Sequence, residues 1–281
     1  MSNVPSDSAG TSGQSARSVQ TGGSASTKWL RALALIILAY GVLLRTWQIS
    51  DMGYFTDEFF HAISAEHIAT VGQQAWPTGG EYKRALPYTQ TVAISFKWFG
   101  VDEATARLPS IVANLLLVLL SFLYVRNRFG MPSGLIYLLL ICCAPIELVY
   151  ARQCRMYAPF QLFYFLASIA FWHGFEAQSL RGGGALQPEA ARAKTILFFP
   201  LLLLLAGLFL AVAVTLHDLG VALVGVTGIY IAARFVQVAW SQGMRKALSS
   251  KAGIALTIGL IAAGLIILLQ WDLVLKYVRK A

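Results

Sequence analysis

Polar and apolar positions alternate along this chain in long blocks, not in the short periods of a water-facing helix or strand. Residues 1–27 are rich in Ser, Gly, Thr and Ala and nearly lack large apolar side chains. Such a segment cannot bury a core and predicts a disordered tail. After it come apolar blocks of about 18 residues or more with few charges, the length that crosses a bilayer. They predict seven spans, at about 29–49, 108–125, 133–150, 157–175, 196–214, 219–238 and 253–271. The second opens at Pro109, a residue suited to a first helical turn. The first block is too long for a cleaved signal and predicts an uncleaved anchor. The expected organisation is a cytoplasmic tail over 1–28 and an all-α transmembrane domain over 29–281.

Between the first two spans lies a long loop, about 50–106, that is not low-complexity. It holds two short amphipathic stretches. Asp57 to Val71 sets Phe59, Phe60, Ile63 and Val71 on one face at helical spacing. A second stretch opens at Pro87 and runs to about Phe99, with Tyr88, Phe96, Trp98 and Phe99 suited to a membrane surface. With the N-terminus inside, the short inner loops carry Arg126 and Arg128; Arg181, Arg192 and Lys194; and Arg234, Arg245, Lys246 and Lys251. The short outer loops carry only Arg152 and Arg155. The positive-inside rule therefore puts the N-terminus in the cytoplasm and the long loop outside.

Composition agrees with a membrane protein. The chain is 57% hydrophobic and 12% charged, with mean hydropathy +0.63, where a soluble domain carries about 25% charged residues. The net charge of +9 would suggest nucleic acid in a soluble protein. Here Lys and Arg sit between apolar blocks, where they hold topology and touch anionic lipid, so the expected partner is membrane lipid and not nucleic acid. The cysteines, Cys142, Cys143 and Cys154, form neither a disulfide framework nor a zinc spacing.

Candidate chemistry clusters on the side assigned as outer. Asp57 and Glu58 open the first loop stretch in YFTDEFFHAISAEH. Acids there are stabilised by a helix dipole whatever else they do, but a carboxylate at the membrane boundary can also take a proton from a substrate. His61 lies four residues after Asp57 and shares its helix face, where it would orient the carboxylate or join it on a metal. A lone Asp/His pair is a weak metal signal. VYARQCRMYAPF sets Arg152 and Arg155 beside Tyr150 and Tyr157. These are snorkelling arginines in an aromatic belt or a guanidinium pair for a phosphate. They oppose the positive-inside bias, which favours the second reading. Lys83 and Arg84 in EYKRALPY add charge to the same surface. Charge clusters at one face and not along a mid-span path, which ranks a transporter last.

Taken in order, the acidic pair, FKWFGVDEATARLPSIVANLLLVLLSFLYVRNRFG at 96–130, ARQCRMYAPFQLF at 151–163 and TLHDLG at 215–220 resemble the GT-C fold of membrane glycosyltransferases. The nearest branch is the dolichyl-phosphate-mannose–protein mannosyltransferase-like group, over about residues 29–235. The resemblance implies transfer of a sugar from a polyprenyl-phosphate carrier to a protein, lipid or glycan acceptor outside a bacterial inner membrane. It implies Asp57 as catalytic base with Glu58 beside it, and Arg152, Arg155 and Tyr157 at the donor phosphate, with Lys83 and Arg84 as helpers. Some members use a divalent metal ion and some do not. Of the family's usual Pro pair only Pro87 is kept, in Arg84-Ala85-Leu86-Pro87. Members usually continue for further spans, so the expected alternatives are a fragment of an ordinary enzyme or a truncated, non-catalytic paralogue that binds the carrier as a scaffold.

Overall fold

The computed structural model describes residues 23–51, 53–74, 76, 79–80, 82–175 and 189–259, and these are helical with no strand among them. Of the expected tail over 1–28, residues 1–22 lie outside the described residues and residues 23–28 are helical; the expected seventh span lies outside them from residue 260. The helices are α1 (Gly23–Thr46), α2 (Thr56–Val71), α3 (Leu86–Phe99), α4 (Glu103–Phe129), α5 (Met131–Cys143), α6 (Pro145–Ala151), α7 (Tyr157–Phe175), α8 (Glu189–Leu216), α9 (Leu219–Gln242) and α10 (Met244–Ser249). Residues 251–259 are helical as well.

Among the described residues, three helices are long and apolar enough to cross a bilayer: Lys28–Thr46 of α1, α4 and α9. The α5–α6 pair, bent by 60°, makes a fourth if taken as one broken span. This makes an integral membrane protein, and the expected seventh span lies mostly outside the described residues. α7 has the length, but Gln161, Tyr164 and His173 dilute it. The described apolar part of α8, Leu201–Leu216, is short.

The chain divides into two compact units, residues 1–47 with 118–148 and residues 48–117 with 149–281. In the first, α1 packs on α5 around Ala34, Val118, Phe122, Leu135, Leu138 and Cys142. Gly41 permits the approach, since a Cβ there would stand 2.6 Å from Cys142 Sγ. The expected span at 133–150 is broken at Ala144. Pro145 has no N–H, so the carbonyl of Ile141 loses its helical donor. Arg45, with no exposure, supplies one: its Nη2 donates to Ile141 O at 3.4 Å and its Nη1 to Cys142 O at 3.3 Å.

In the second unit, α2 and α3 pack together around Ala62, Ala65, Tyr88, Val92, Phe96, Cys154 and Met156. α2 ends at Gly72, whose φ of 78° closes the last turn. α4 begins at Glu103, five residues before the expected start at 108, because Asp102 caps it: its Oδ1 accepts from Thr105 N at 2.7 Å and its Oδ2 from Thr105 Oγ1 at 3.0 Å. Pro109 therefore lies inside the helix and strips the donor from Thr105 O. Ser95 Oγ replaces it at 2.9 Å. α7 lies along α8, and α8 turns into α9 through His217 and Asp218.

Candidate functional site

The face that α2 buries is not the apolar one. Phe59 and Val71 are exposed, and the buried positions are Glu58, His61, Ala62, Ser64 and Ala65. Small residues let α3 come close, and the polar ones are buried because partners meet them. Glu58 is 1% exposed and accepts four N–H donors. Its Oε2 takes Phe55 N at 2.9 Å, the reach-back of a capping box, and Arg107 Nη2 at 3.2 Å. Its Oε1 takes Arg107 Nε at 3.2 Å and the backbone N–H of Cys154. Arg107, with no exposure, extends Nη1 to Ile49 O at 2.6 Å and Nη2 to Gly53 O at 3.0 Å, over the ring of Tyr54. One buried ion pair thus joins the segment after α1, the start of α2, the first turns of α4 and the turn before α7.

That clamp places its two sequence neighbours. Asp57, one residue before Glu58 and so about 100° around the helix, has an exposed side chain and pairs through Oδ2 with Arg155 Nη1. Arg155, one residue after Cys154, is 6% exposed. Its Nη2 donates to the Tyr157 hydroxyl at 2.9 Å, and its Cζ lies 5.1 Å from the Tyr157 ring centroid. Its Nε is buried and has no hydrogen-bond partner among the described residues. The Arg155 carbonyl accepts from Ser110 Oγ at 2.9 Å. Ser110 thereby spends its single proton, so the Tyr88 hydroxyl, 2.8 Å away, donates to Ser110. Burial raises the Tyr88 phenol well above its usual range and pushes the Cys154 thiol up to about 12, so both stay protonated. Cys154 is an inert core thiol.

Tyr157 leads to a second group of charges. Its ring lies 4.8 Å from that of Tyr150 and 5.5 Å from that of His217, which also meets Phe160 at 5.3 Å. His217 Nδ1 accepts from Leu219 N at 3.1 Å, so its neutral ring carries the proton on Nε2. Lys83, Arg84 and Ala85 face the 214–218 turn, His217 and Asp218 included, across a pocket of about 210 Å³. Ala85 adopts the left-handed region, φ 46°, to make that bend into α3.

The residues singled out from sequence thus fall into five places. Asp57, Arg155 and Tyr157 come together. Lys83 and Arg84 line the adjoining pocket with His217. Glu58 is committed to Arg107. Arg152 is half-buried at the end of α6, its N–H on Val149 O at 3.2 Å. His61 has no exposure, and its Nδ1 and Nε2 meet Thr89 Oγ1 at 2.9 Å and the Tyr82 hydroxyl at 3.3 Å. Burial first, then the Arg84 charge, pull its pKa down to about 4. With both nitrogens engaged it has no lone pair left for a metal or for Asp57. Glu58 is likewise saturated, and among the described residues no three His, Cys, Asp or Glu side chains gather as a metal-ligand set. The donor set does not fit a divalent ion. Sequence reasoning passed over Tyr88 and Ser110 as site residues. Arg107, Ser110 and His217 fall inside the stretches whose order carries the resemblance, and Tyr88 falls outside them.

No protein-family model matches the chain, and no curated protein matches it. Among solved structures it is similar to the crystal structure of ArnT from Cupriavidus metallidurans in the apo state, with a TM-score of 0.56 at 16% sequence identity, over 89% of this chain and 43% of that one. The chain thus spans less than half the length of ArnT. At that identity the likeness speaks for fold: the architecture is GT-C-like, in an integral membrane protein.

Proposed function

We propose that this protein is a glycosyltransferase that moves a sugar from a polyprenyl-phosphate carrier to an acceptor hydroxyl or amine at the outer membrane face, by a single inverting displacement. The observation that carries the reading is the pairing of exposed Asp57 with nine-tenths-buried Arg155, whose Nε is left unpartnered. The GT-C-like fold shared with ArnT, a glycosyltransferase of that type, supports it.

Asp57 takes the acceptor proton as general base, a role worth about 10²–10⁴-fold. The acceptor atom bonds to the anomeric carbon while the bond from that carbon to the phosphate oxygen breaks. Its electron pair stays on the phosphate, where Arg155 and the Tyr157 hydroxyl stabilise the growing charge. Lys83 and Arg84 strengthen the cationic mouth. Glu58 acts through Arg107, holding Asp57 and Arg155 in register, and is a positioning residue.

The test is transfer or release of radiolabelled sugar from polyprenyl-phosphate donors by the purified chain in nanodiscs, wild type beside Asp57→Asn. Turnover lost in the variant supports the assignment, and turnover at the wild-type rate refutes Asp57 as base. Carrier binding without turnover by any donor points to a non-catalytic carrier binder.

A further inference from the structure

We propose that Ser110 is a positioning residue for Arg155: its hydroxyl takes the backbone carbonyl that Pro159 leaves without a helical donor, and so aims the guanidinium at both Asp57 and the donor phosphate. The inference deepens the function proposed above and rests on it.

Arg155 can serve two anions from two edges at once. Its Nη1 is engaged by Asp57, whereas Nε is buried with no hydrogen-bond partner among the described residues. Nη2 carries two N–H groups, and the Tyr157 hydroxyl takes only one of them. The Nε–Nη2 edge is thus the fork on which an oxyanion seats through two parallel bonds. A base on one edge and a phosphate on the other stay aligned only while the guanidinium plane is fixed. Its tip is held by Asp57, by the Tyr157 hydroxyl and by the Tyr157 ring.

The root of the side chain lacks helical support. Arg155 lies in the turn between α6 and α7, where its own N–H donates to Gln153 O at 2.8 Å. The ladder of α7 reaches back to Met156 O, which accepts from Phe160 N at 2.9 Å. One step further back the donor would be the nitrogen of Pro159, which carries no hydrogen. The Arg155 carbonyl is therefore left to a tertiary partner, Ser110 Oγ at 2.9 Å. Ser110 has no exposure, and the Tyr88 hydroxyl occupies its acceptor side at 2.8 Å. Ser110 stands three residues after Arg107 on α4, so the two share a face. That face sets both halves of the site: Arg107 fixes Glu58 beside Asp57, and Ser110 fixes Arg155. Without the hydroxyl a buried carbonyl loses its donor, and the turn relaxes towards another one, carrying the guanidinium with it.

Action through Arg155 is read by a double-mutant cycle on carrier binding. Affinity for a polyprenyl monophosphate is measured on the purified full chain in nanodiscs, for wild type, S110A, R155Q and S110A/R155Q. Positioning predicts that S110A binds about tenfold more weakly, the worth of one charge-assisted hydrogen bond, and that it adds no loss in the R155Q background. It also predicts wild-type affinity in S110T, which keeps the hydroxyl. Wild-type affinity in S110A overturns the proposal. So does an equal loss in both backgrounds, which would mean that Ser110 acts on the fold and not through Arg155. Should S110A fail to fold, S110C carries the test, since it keeps the side-chain size and offers only a weak donor; wild-type affinity there overturns the proposal as well. If wild type binds no carrier at all, the proposed function falls and the role of Ser110 with it. Carrier binding that is indifferent to S110A sinks the positioning role alone.

Discussion

Glu58→Gln is the sharpest probe of the clamp beneath the site. The substitution keeps the shape, removes the charge and turns one oxygen into an NH₂ group. Each Glu58 oxygen accepts two donors, Arg107 Nε and Cys154 N on one side, Arg107 Nη2 and Phe55 N on the other. Whichever way the amide faces, two of the four bonds are lost and donors point at donors. Arg107, with no exposure, keeps its charge against a neutral partner. Breaking a buried pair from one side costs about 3–5 kcal/mol, a large part of the roughly 5–15 kcal/mol that holds a typical protein folded. With both groups at most 1% exposed, solvent does not screen this loss. Thermal unfolding in detergent, followed by tryptophan fluorescence, should show a fall on the order of 10 °C. The companion Glu58→Gln/Arg107→Met variant should recover part of it, since no charge is then stranded. Full recovery is not expected, because the carbonyls of Ile49 and Gly53 lose their donor, at about 1–3 kcal/mol each. Glu58→Gln within about 1 kcal/mol of wild type would refute the reasoning, for it would mean Arg107 is satisfied without the carboxylate.

Two further outcomes follow from the same unit. His61 titrates near 4 when folded, against 6.5 for a free imidazole. Between those values the unfolded chain binds a proton the folded one does not, so stability is full above about pH 6.5 and falls as pH drops towards 4, by up to about 3 kcal/mol. Unfolding measured across that window should show the slope in wild type and lose it in His61→Gln. Gly220→Ala would set a Cβ 2.7 Å from the backbone of Val214. Opening that turn should cost about 1–3 kcal/mol and displace His217 from Tyr157, so thermal stability and carrier binding should fall together, and unchanged stability would refute the close approach.

The helical segments were legible because they rest on block length, whereas residue type only put Asp57, Arg155 and Tyr157 on one expected side and left their meeting to the fold. The division of labour between Asp57 and Glu58 was hidden too. Adjacent acids in a first turn look alike in sequence, and only the buried guanidinium that meets one of them separates a structural carboxylate from an exposed one. The buried face of α2 was not legible for a related reason. Periodicity marked Phe59 and Val71, yet close packing on α3 favours Ala62, Ala65 and polar groups with partners, leaving the bulky rings outside. His61 followed the same logic: its spacing pointed to Asp57, but Thr89 and Tyr82 on neighbouring segments hold its ring. Such partners are distant in sequence, and no local pattern reports them.

Span boundaries failed where proline was given one meaning. Pro109 was expected to open a helix and one span was expected over 133–150, yet Pro109 sits inside α4 and Pro145 breaks α5 from α6. In both places the carbonyl four residues earlier loses its amide donor, and apolar surroundings make an unpaired carbonyl costly. Each is satisfied by a side chain from another helix, Ser95 Oγ on Thr105 O and Arg45 Nη2 on Ile141 O. That gives the buried Arg45 of an apolar helix a structural explanation. An ionisable residue within a span is by default a sign of function, but this guanidinium also bonds Cys142 O at the end of α5 and Gly41 O one turn back in its own helix. The same rule can be run forwards on sequence. A proline inside an apolar block predicts a lone Ser, Thr or Arg elsewhere that stands in for its missing N–H, and the polar residues left over after that pairing are the ones to test for chemistry.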